Sequence, residues 1–205
     1  MAWIVSLGRW RSWSRLGLKY LVGSRVLELG YGPGHLQAEL LAAGWQVFGL
    51  DESPQMGRLA NSNFVKWNKY INQGKCNGYA HNLSLVRGLA QALPFPNASI
   101  DSVLATFPTR YIFEPLALRE IRRVLRPGGR LVIVLGAWIT GGNLPDRLTA
   151  WLFKITGQVP EWKPKTVQPF QEAGFEVDHE ILETQGSQVL ILIARVKSEI
   201  NISKF

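Results

Sequence analysis

The chain's 205 residues, 46% of them apolar, suffice for one domain with a substantial buried core, and its lone cysteine, Cys76, excludes an intramolecular disulfide or a cysteine-rich metal site. A formal net charge of +8 favours anionic partners: nucleic acid, anionic lipid headgroups or acidic small molecules. The apolar N-terminal run is followed, not preceded, by Arg9, Arg11, Arg15 and Lys19, the reverse of a secretory signal, and no stretch nears the roughly 18 apolar residues of a membrane span, so a cytoplasmic protein is expected.

Residues 3–21 predict a helix, because Trp3, Leu7, Trp10, Trp13, Leu16 and Tyr20 recur at spacings of three and four. Arg11, Arg15 and Lys19 form a second stripe at i, i+4 and i+8, and no acid occurs before Glu28. Residues 25–29 form a short strand that runs into Gly30-Tyr31-Gly32-Pro33-Gly34. A helix over 35–43 is closed by Gly44, and a second buried strand covers 46–51. Ser53 and Pro54 supply the N-cap and first position of a helix reaching about Lys66, followed by a loop over 67–82. Further strands are expected at 83–87, 99–106 and 130–135, with a helix at 115–125 closed by Arg126-Pro127-Gly128-Gly129. Residues 147–155 read as an amphipathic piece, 167–173 as a last helix, and 175–182 with 188–196 as an antiparallel pair.

Strands alternating with helices, each strand continuously apolar, imply one α/β domain with a doubly wound, mainly parallel sheet covered on both faces. Ligands bind such sheets outside the carboxyl ends of the strands. At that end, the glycine turn lacks the third glycine of a dinucleotide fingerprint, since position 35 is His, and this favours a ligand without phosphates. Glu28 is a carboxylate in an apolar strand and needs a partner there. The ammonium of an amino-acid-like ligand would serve, and so would an ion pair with Arg25 or Arg87. Asp51, ending the second strand, is placed either to accept both hydroxyls of a ribose or to cap the following helix.

Val26 to Leu36, the run Gly49-Leu50-Asp51-Glu52-Ser53-Pro54-Gln55-Met56, the segment Leu93-Pro94-Phe95-Pro96-Asn97-Ala98-Ser99-Ile100-Asp101-Ser102-Val103, and Glu120 to Leu131 resemble four successive motifs of class I S-adenosylmethionine (SAM)-dependent methyltransferases. They are most similar to the type 11 branch, which includes ubiquinone and menaquinone methyltransferases. The resemblance covers residues 25–136 closely. It implies a Rossmann-like sheet of seven strands with an antiparallel last strand, and SAM as cofactor. Glu28, Gly30, Gly32 and Gly34 would line its methionine part, Asp51 would hold the ribose, and Met56 would pack near the adenine. Tyr31, Glu52 and Thr106 join them in the expected cofactor lining. Where the family commonly has Gly-Asp-Ala-Glu, this chain has Gly88-Leu89-Ala90-Gln91, so the acidic contact to the adenine is lost and the Ala90 amide and Gln91 side chain are left to replace it.

The resemblance makes residues 106–114 the acceptor-facing segment, in which Tyr111 and Glu114 are the candidate proton acceptors, Arg110 a holder of an anionic acceptor, and Tyr111 alternatively a packed aromatic. His35, His81 and His179 lack metal-ligand spacing, so no metal is expected. Trp138, Trp151, Phe153 and the tryptophan-rich, basic N-terminus point to a small, apolar or lipid-like acceptor and to peripheral contact with an anionic membrane surface. Residues 1–22 are expected to act as a lid over a 25–136 cofactor core, with 137–205 forming an acceptor-side insertion and the terminal strands. A nucleic-acid methyltransferase and a SAM-fold protein without catalysis are the competing readings; against the former, the Asn-Pro-Pro-Tyr type motif used on flipped bases is replaced by Thr106-Phe107-Pro108-Thr109. Oligomeric state is not legible.

Overall fold

A computed structural model describes residues 9–71, 82–141, 166–184 and 186–196. Trp3, Leu7, His81, Trp151, Phe153 and the 147–155 piece lie outside them. Helix α1 (Trp10–Arg15) leads through a 3₁₀ turn (Leu16–Tyr20) to β1 (Arg25–Leu29), α2 (His35–Ala42), β2 (Gln46–Asp51), α3 (Pro54–Ile71) and β3 (Leu83–Arg87). β4 (Ile100–Thr106), a 3₁₀ turn (Arg110–Phe113), α4 (Pro115–Val124), β5 (Leu125–Ile139), α5 (Gln168–Glu172), β6 (Phe175–Thr184) and β7 (Ser187–Val196) follow. The seven strands form one sheet in the order β3-β2-β1-β4-β5-β7-β6, with β7 antiparallel to both neighbours and the described pairs among β1–β5 parallel. The expected doubly wound architecture is present, and strand order reverses between β1 and β4.

Strand side chains alternate between two cores, which is why the central strands read as unbroken apolar runs. Leu27, Val103, Leu131 and Ile133 face α4 and α5, where Leu118, Ile121 and Phe170 are buried. Val26, Leu104, Val132 and Val134 face the other way, toward Trp13 of α1 and Leu36 and Leu40 of α2. On the first face, Arg123 donates to Glu120, to the carbonyls of Phe95 and Leu93 and to Asn97 at 2.7–2.9 Å. Glu120 in turn accepts from the Leu93 amide. Two of the sequence motifs are therefore one structural clamp, which holds the 93–97 loop on α4.

Three boundaries depart from expectation. α3 continues through Ile71, so the anticipated loop begins later. The strand expected at 130–135 begins at Leu125, opposite Ile100, bulges over 126–129, re-pairs at Arg130 with Ser102 and runs on to Ile139 beside β7. The N-terminal helix is α-helical only to Arg15 and then tightens, and this turns the chain onto the sheet.

That tightening also places the segment expected to act as a lid, residues 1–22, of which 9–22 are described. Trp13 is 2% exposed, and a Cβ on Gly17 would lie 3.0 Å from Val134 and 3.1 Å from Leu104. Leu16, Leu18 and Leu21 pack on the same core, and Ser102 clasps Val22 by donating to its carbonyl and accepting from its amide, both at 2.8 Å. The described part of this segment is core for one face of the sheet. The basic stripe is engaged as well: Arg15 donates to Glu39 at 2.6 Å and Lys19 lies 3.8 Å from Glu180.

Candidate functional site

β1 ends in a turn where Gly30, Gly32 and Gly34 take φ of +69°, +53° and +79°, the left-handed region that side chains with a Cβ avoid. The turn folds back on β2: the Gly30 amide donates to the Leu50 carbonyl at 2.7 Å and the Gly32 amide to Asp51 Oδ2 at 2.9 Å. Asp51 Oδ1 accepts from the Ser53 amide at 2.9 Å, and Ser53 Oγ from the Met56 amide. Asp51 therefore ties the glycine turn to the start of α3, while each carboxylate oxygen keeps further acceptor capacity.

Two cavities open on either side of Gly30. The smaller, about 100 Å³, is walled by Glu28, Gly30, Tyr31, Gly32 and Thr106 from the sheet ends and by Trp10, Arg11 and Ser14 from α1. The larger, about 600 Å³, is bounded by Asp51, Glu52, Ala90 and Gln91 on one side and by Arg110, Tyr111 and Glu114 on the other. The structure thus brings to these two cavities every cofactor residue read from the sequence except Gly34, which lines a third cavity beside them, and Met56, in the first turn of α3, which lines neither. The ring of Tyr31 runs inward beside Gly49, with its hydroxyl near Gly57, so it props the turn from beneath.

A cover over the cofactor core was expected of residues 1–22, but not that Trp10, Arg11 and Ser14 would be the residues reaching this cavity. A serine, Ser14, inside the apolar stripe was the available signal; its hydroxyl donates back to the Trp10 carbonyl at 2.9 Å. Trp10 in turn stacks on Phe107, ring centroids 3.9 Å apart, and Phe107 has the left-handed φ of +48° directly after Thr106. A bulky residue holds that conformation only where its surroundings fix it, here through the amide of Phe107 on the Val134 carbonyl and the indole against its ring.

Glu28 is the site's electrostatic anomaly. It is 2% exposed, its Oε2 has no hydrogen-bond partner among the described residues, and burial, with the charges of Asp51 and Glu39, pushes its carboxyl up to about 8. Neither cation weighed as its partner is available: Arg25 donates to Gln46 Oε1 and Arg87 to the Glu52 carbonyl. Tyr111 is also shifted up, by burial first and then by Asp51, Glu28 and Glu52, and its hydroxyl points at the Leu29 carbonyl 3.4 Å away. A phenol so shifted gives up its proton less readily than an ordinary tyrosine, and in this contact its hydroxyl is the donor. Glu114 remains at the exposed mouth, accepting from Gln91 Nε2 at 2.6 Å, which leaves Gln91 Oε1 its acceptor capacity. Leu89 is 52% exposed on the same rim. No cluster of three potential metal ligands occurs among the described residues.

A family model described as a methyltransferase domain matches residues 27–133. The chain is 33% identical over 138 residues to the ubiquinone/menaquinone biosynthesis C-methyltransferase UbiE of Hahella chejuensis, covering 64% of this chain and 51% of that protein. It is 30% identical over 155 residues to the demethylmenaquinone methyltransferase of Renibacterium salmoninarum, covering 74% and 59% respectively. The chain therefore spans a little over half the length of these relatives. Among solved structures, the [4+2]-cyclase SpnF superposes with a TM-score of 0.65 at 18% identity, covering 93% of this chain and 82% of that one. YcgJ of Bacillus subtilis superposes at 0.60 and 18%, covering 92% and 99%. Likeness at that identity speaks to the fold alone, and a fold shared with a cyclase does not by itself specify a reaction.

Proposed function

Since the chain belongs to the family of SAM-dependent methyltransferase domains, we propose that it transfers the methyl group of SAM to a small, apolar or lipid-like acceptor by in-line displacement. The observation that carries this reading is the buried Glu28, whose Oε2 has no hydrogen-bond partner among the described residues, on a cavity that the glycine turn also lines. Its chemistry fits the ammonium of a methionine moiety, and Asp51 at the head of the neighbouring cavity fits a ribose diol. SAM, when bound, supplies a methyl group on a sulfonium whose thioether leaves readily. The protein's work is then positioning, which is worth large effective molarities. Glu28, the glycine turn and Thr106 hold one end, and Asp51, Glu52, Ala90 and Gln91 the other. The Trp10–Phe107 stack excludes water from α1's side, and Tyr111 walls the mouth as a neutral donor. Acceptors methylated on carbon must lose a proton, and Glu114 at the mouth is the candidate base.

The acceptor class rests on the quinone-directed names of the relatives and on the aromatic wall. Its test is transfer of label from methyl-labelled SAM into the organic, aqueous and RNA fractions of a cell extract. Organic-phase label is expected; label confined to RNA, or bound SAM with no transfer to any fraction, sinks the proposal. Asp51→Asn is expected to weaken SAM binding by about 1–3 kcal/mol, read by calorimetry, because charge-assisted bonds are lost. It should also lower the melting temperature, since the Gly32 and Ser53 amides share that carboxylate. Leu89→Asp restores the acid that the family commonly carries and is expected to tighten SAM binding about three- to ten-fold, the worth of one net hydrogen bond. An unchanged dissociation constant would mean that Leu89 does not face the adenine.

A further inference from the structure

A third cavity, of about 410 Å³, lies beside the cofactor site between α1, the start of α2 and the middle of α3, and no step of methyl transfer uses it. We propose that it seats the phosphate of an anionic lipid headgroup, making this face the protein's membrane-docking surface.

Three cations, Arg11, Arg15 and Lys66, converge on this cavity against one carboxylate, Glu39. Glu39 accepts from Arg15 Nε, which leaves the other guanidinium N–H groups of Arg15 to donate. Arg11, on the rim shared with the cofactor cavity, has His35 Nδ1 as its partner at 3.2 Å, with no acid. Burial, then Arg11 itself, holds that imidazole below its ordinary value, so it accepts and brings no countercharge. Lys66 is exposed and has no partner among the described residues. Like charges gathered around a cavity without enough internal acid call for an anion.

The aromatic and aliphatic surroundings choose the source. Phe64 and Trp67, one turn apart on α3 with ring centroids 6.0 Å apart, form a wall of the cavity. Leu59, about one turn before Asn63 on the same side of this helix, is 41% exposed. Exposed aliphatic side chains gain nothing from a soluble polyanion but gain burial at an acyl-chain boundary, while tryptophan and lysine suit the headgroup layer.

The test is co-sedimentation of the full chain with phosphatidylcholine vesicles with or without phosphatidylglycerol. Binding is expected only with the anionic lipid. Lys66→Glu should weaken it about ten-fold, whereas Arg119→Glu, the same charge change on exposed α4 across the sheet, should weaken it less than two-fold. SAM titration of Lys66→Glu should match wild type, so loss of SAM binding in wild type would count against the methyltransferase reading and leave this one standing. Equal losses in the two variants, equal binding to both vesicles, complete release by inorganic phosphate at matched ionic strength, or RNA binding with the same sensitivity to Lys66→Glu would each overturn the proposal.

Discussion

Glu28→Gln is expected to melt above the wild-type protein at pH 8 while binding SAM roughly 10- to 100-fold more weakly, the range for losing a hydrogen bond to a charged group. Both effects have one cause. With its carboxyl pushed from 4.5 to about 8 by burial and by the Asp51 and Glu39 charges, folded Glu28 keeps a proton that the unfolded chain has already released. Folded protein therefore binds more protons than unfolded across that window, and the stability of the ligand-free protein falls as pH rises from 4.5 toward 8. At full ionisation the penalty is of the order of 3–5 kcal/mol. Glutamine does not ionise and escapes it. An ammonium ligand selects the ionised carboxylate, so wild-type SAM affinity should rise over the same pH range in which ligand-free stability falls. Scanning calorimetry and SAM titration between about pH 5 and 9 test both. Parallel melting curves for wild type and Glu28→Gln would show that Glu28 does not titrate in this range, and unchanged SAM affinity that it does not hold the cofactor.

Removal of residues 1–22 is expected to leave a chain that does not fold. Trp13 fills the core over Val26, Leu104 and Val132, and Trp13→Ala alone should cost about 3–5 kcal/mol, a large part of a typical domain's 5–15 kcal/mol. Deletion also uncovers the ground occupied by Leu16, Leu18 and Leu21 and frees the Ser102 hydroxyl from Val22. Trp13→Phe is the control, because the buried Trp13 Nε1 has no partner among the described residues and its removal forfeits no hydrogen bond to them. It should stay folded and lose much less than Trp13→Ala. A truncated protein with native near-ultraviolet circular dichroism and a cooperative melt would return the segment to the role of a detachable lid.

The sequence by itself determined the α/β alternation, the glycine turn, and the pairing of Glu28 before it with Asp51 at the next strand end. Those features are local: strand period, turn chemistry and a carboxylate out of place in an apolar run can each be read within a few residues. Strand direction at the end of the sheet was equally legible, because the short turn at Gly186 permits an antiparallel pair and no crossover. What the tertiary structure decided depends on partners distant in the chain. Trp10 and Ser14 join the cofactor wall because the tightening after Arg15 lays the segment across β4 and β5, 80–110 residues later in sequence. Glu28 lacks a cation because Arg25 and Arg87, which composition offered equally, are engaged by Gln46 and Glu52. The Tyr111 phenol is shifted up by burial first and then by acids at the ends of two strands remote from it in sequence. Periodicity assigns a residue to a face; which charges then meet across that face is set by how the helices are laid on the sheet, and packing alone fixes that.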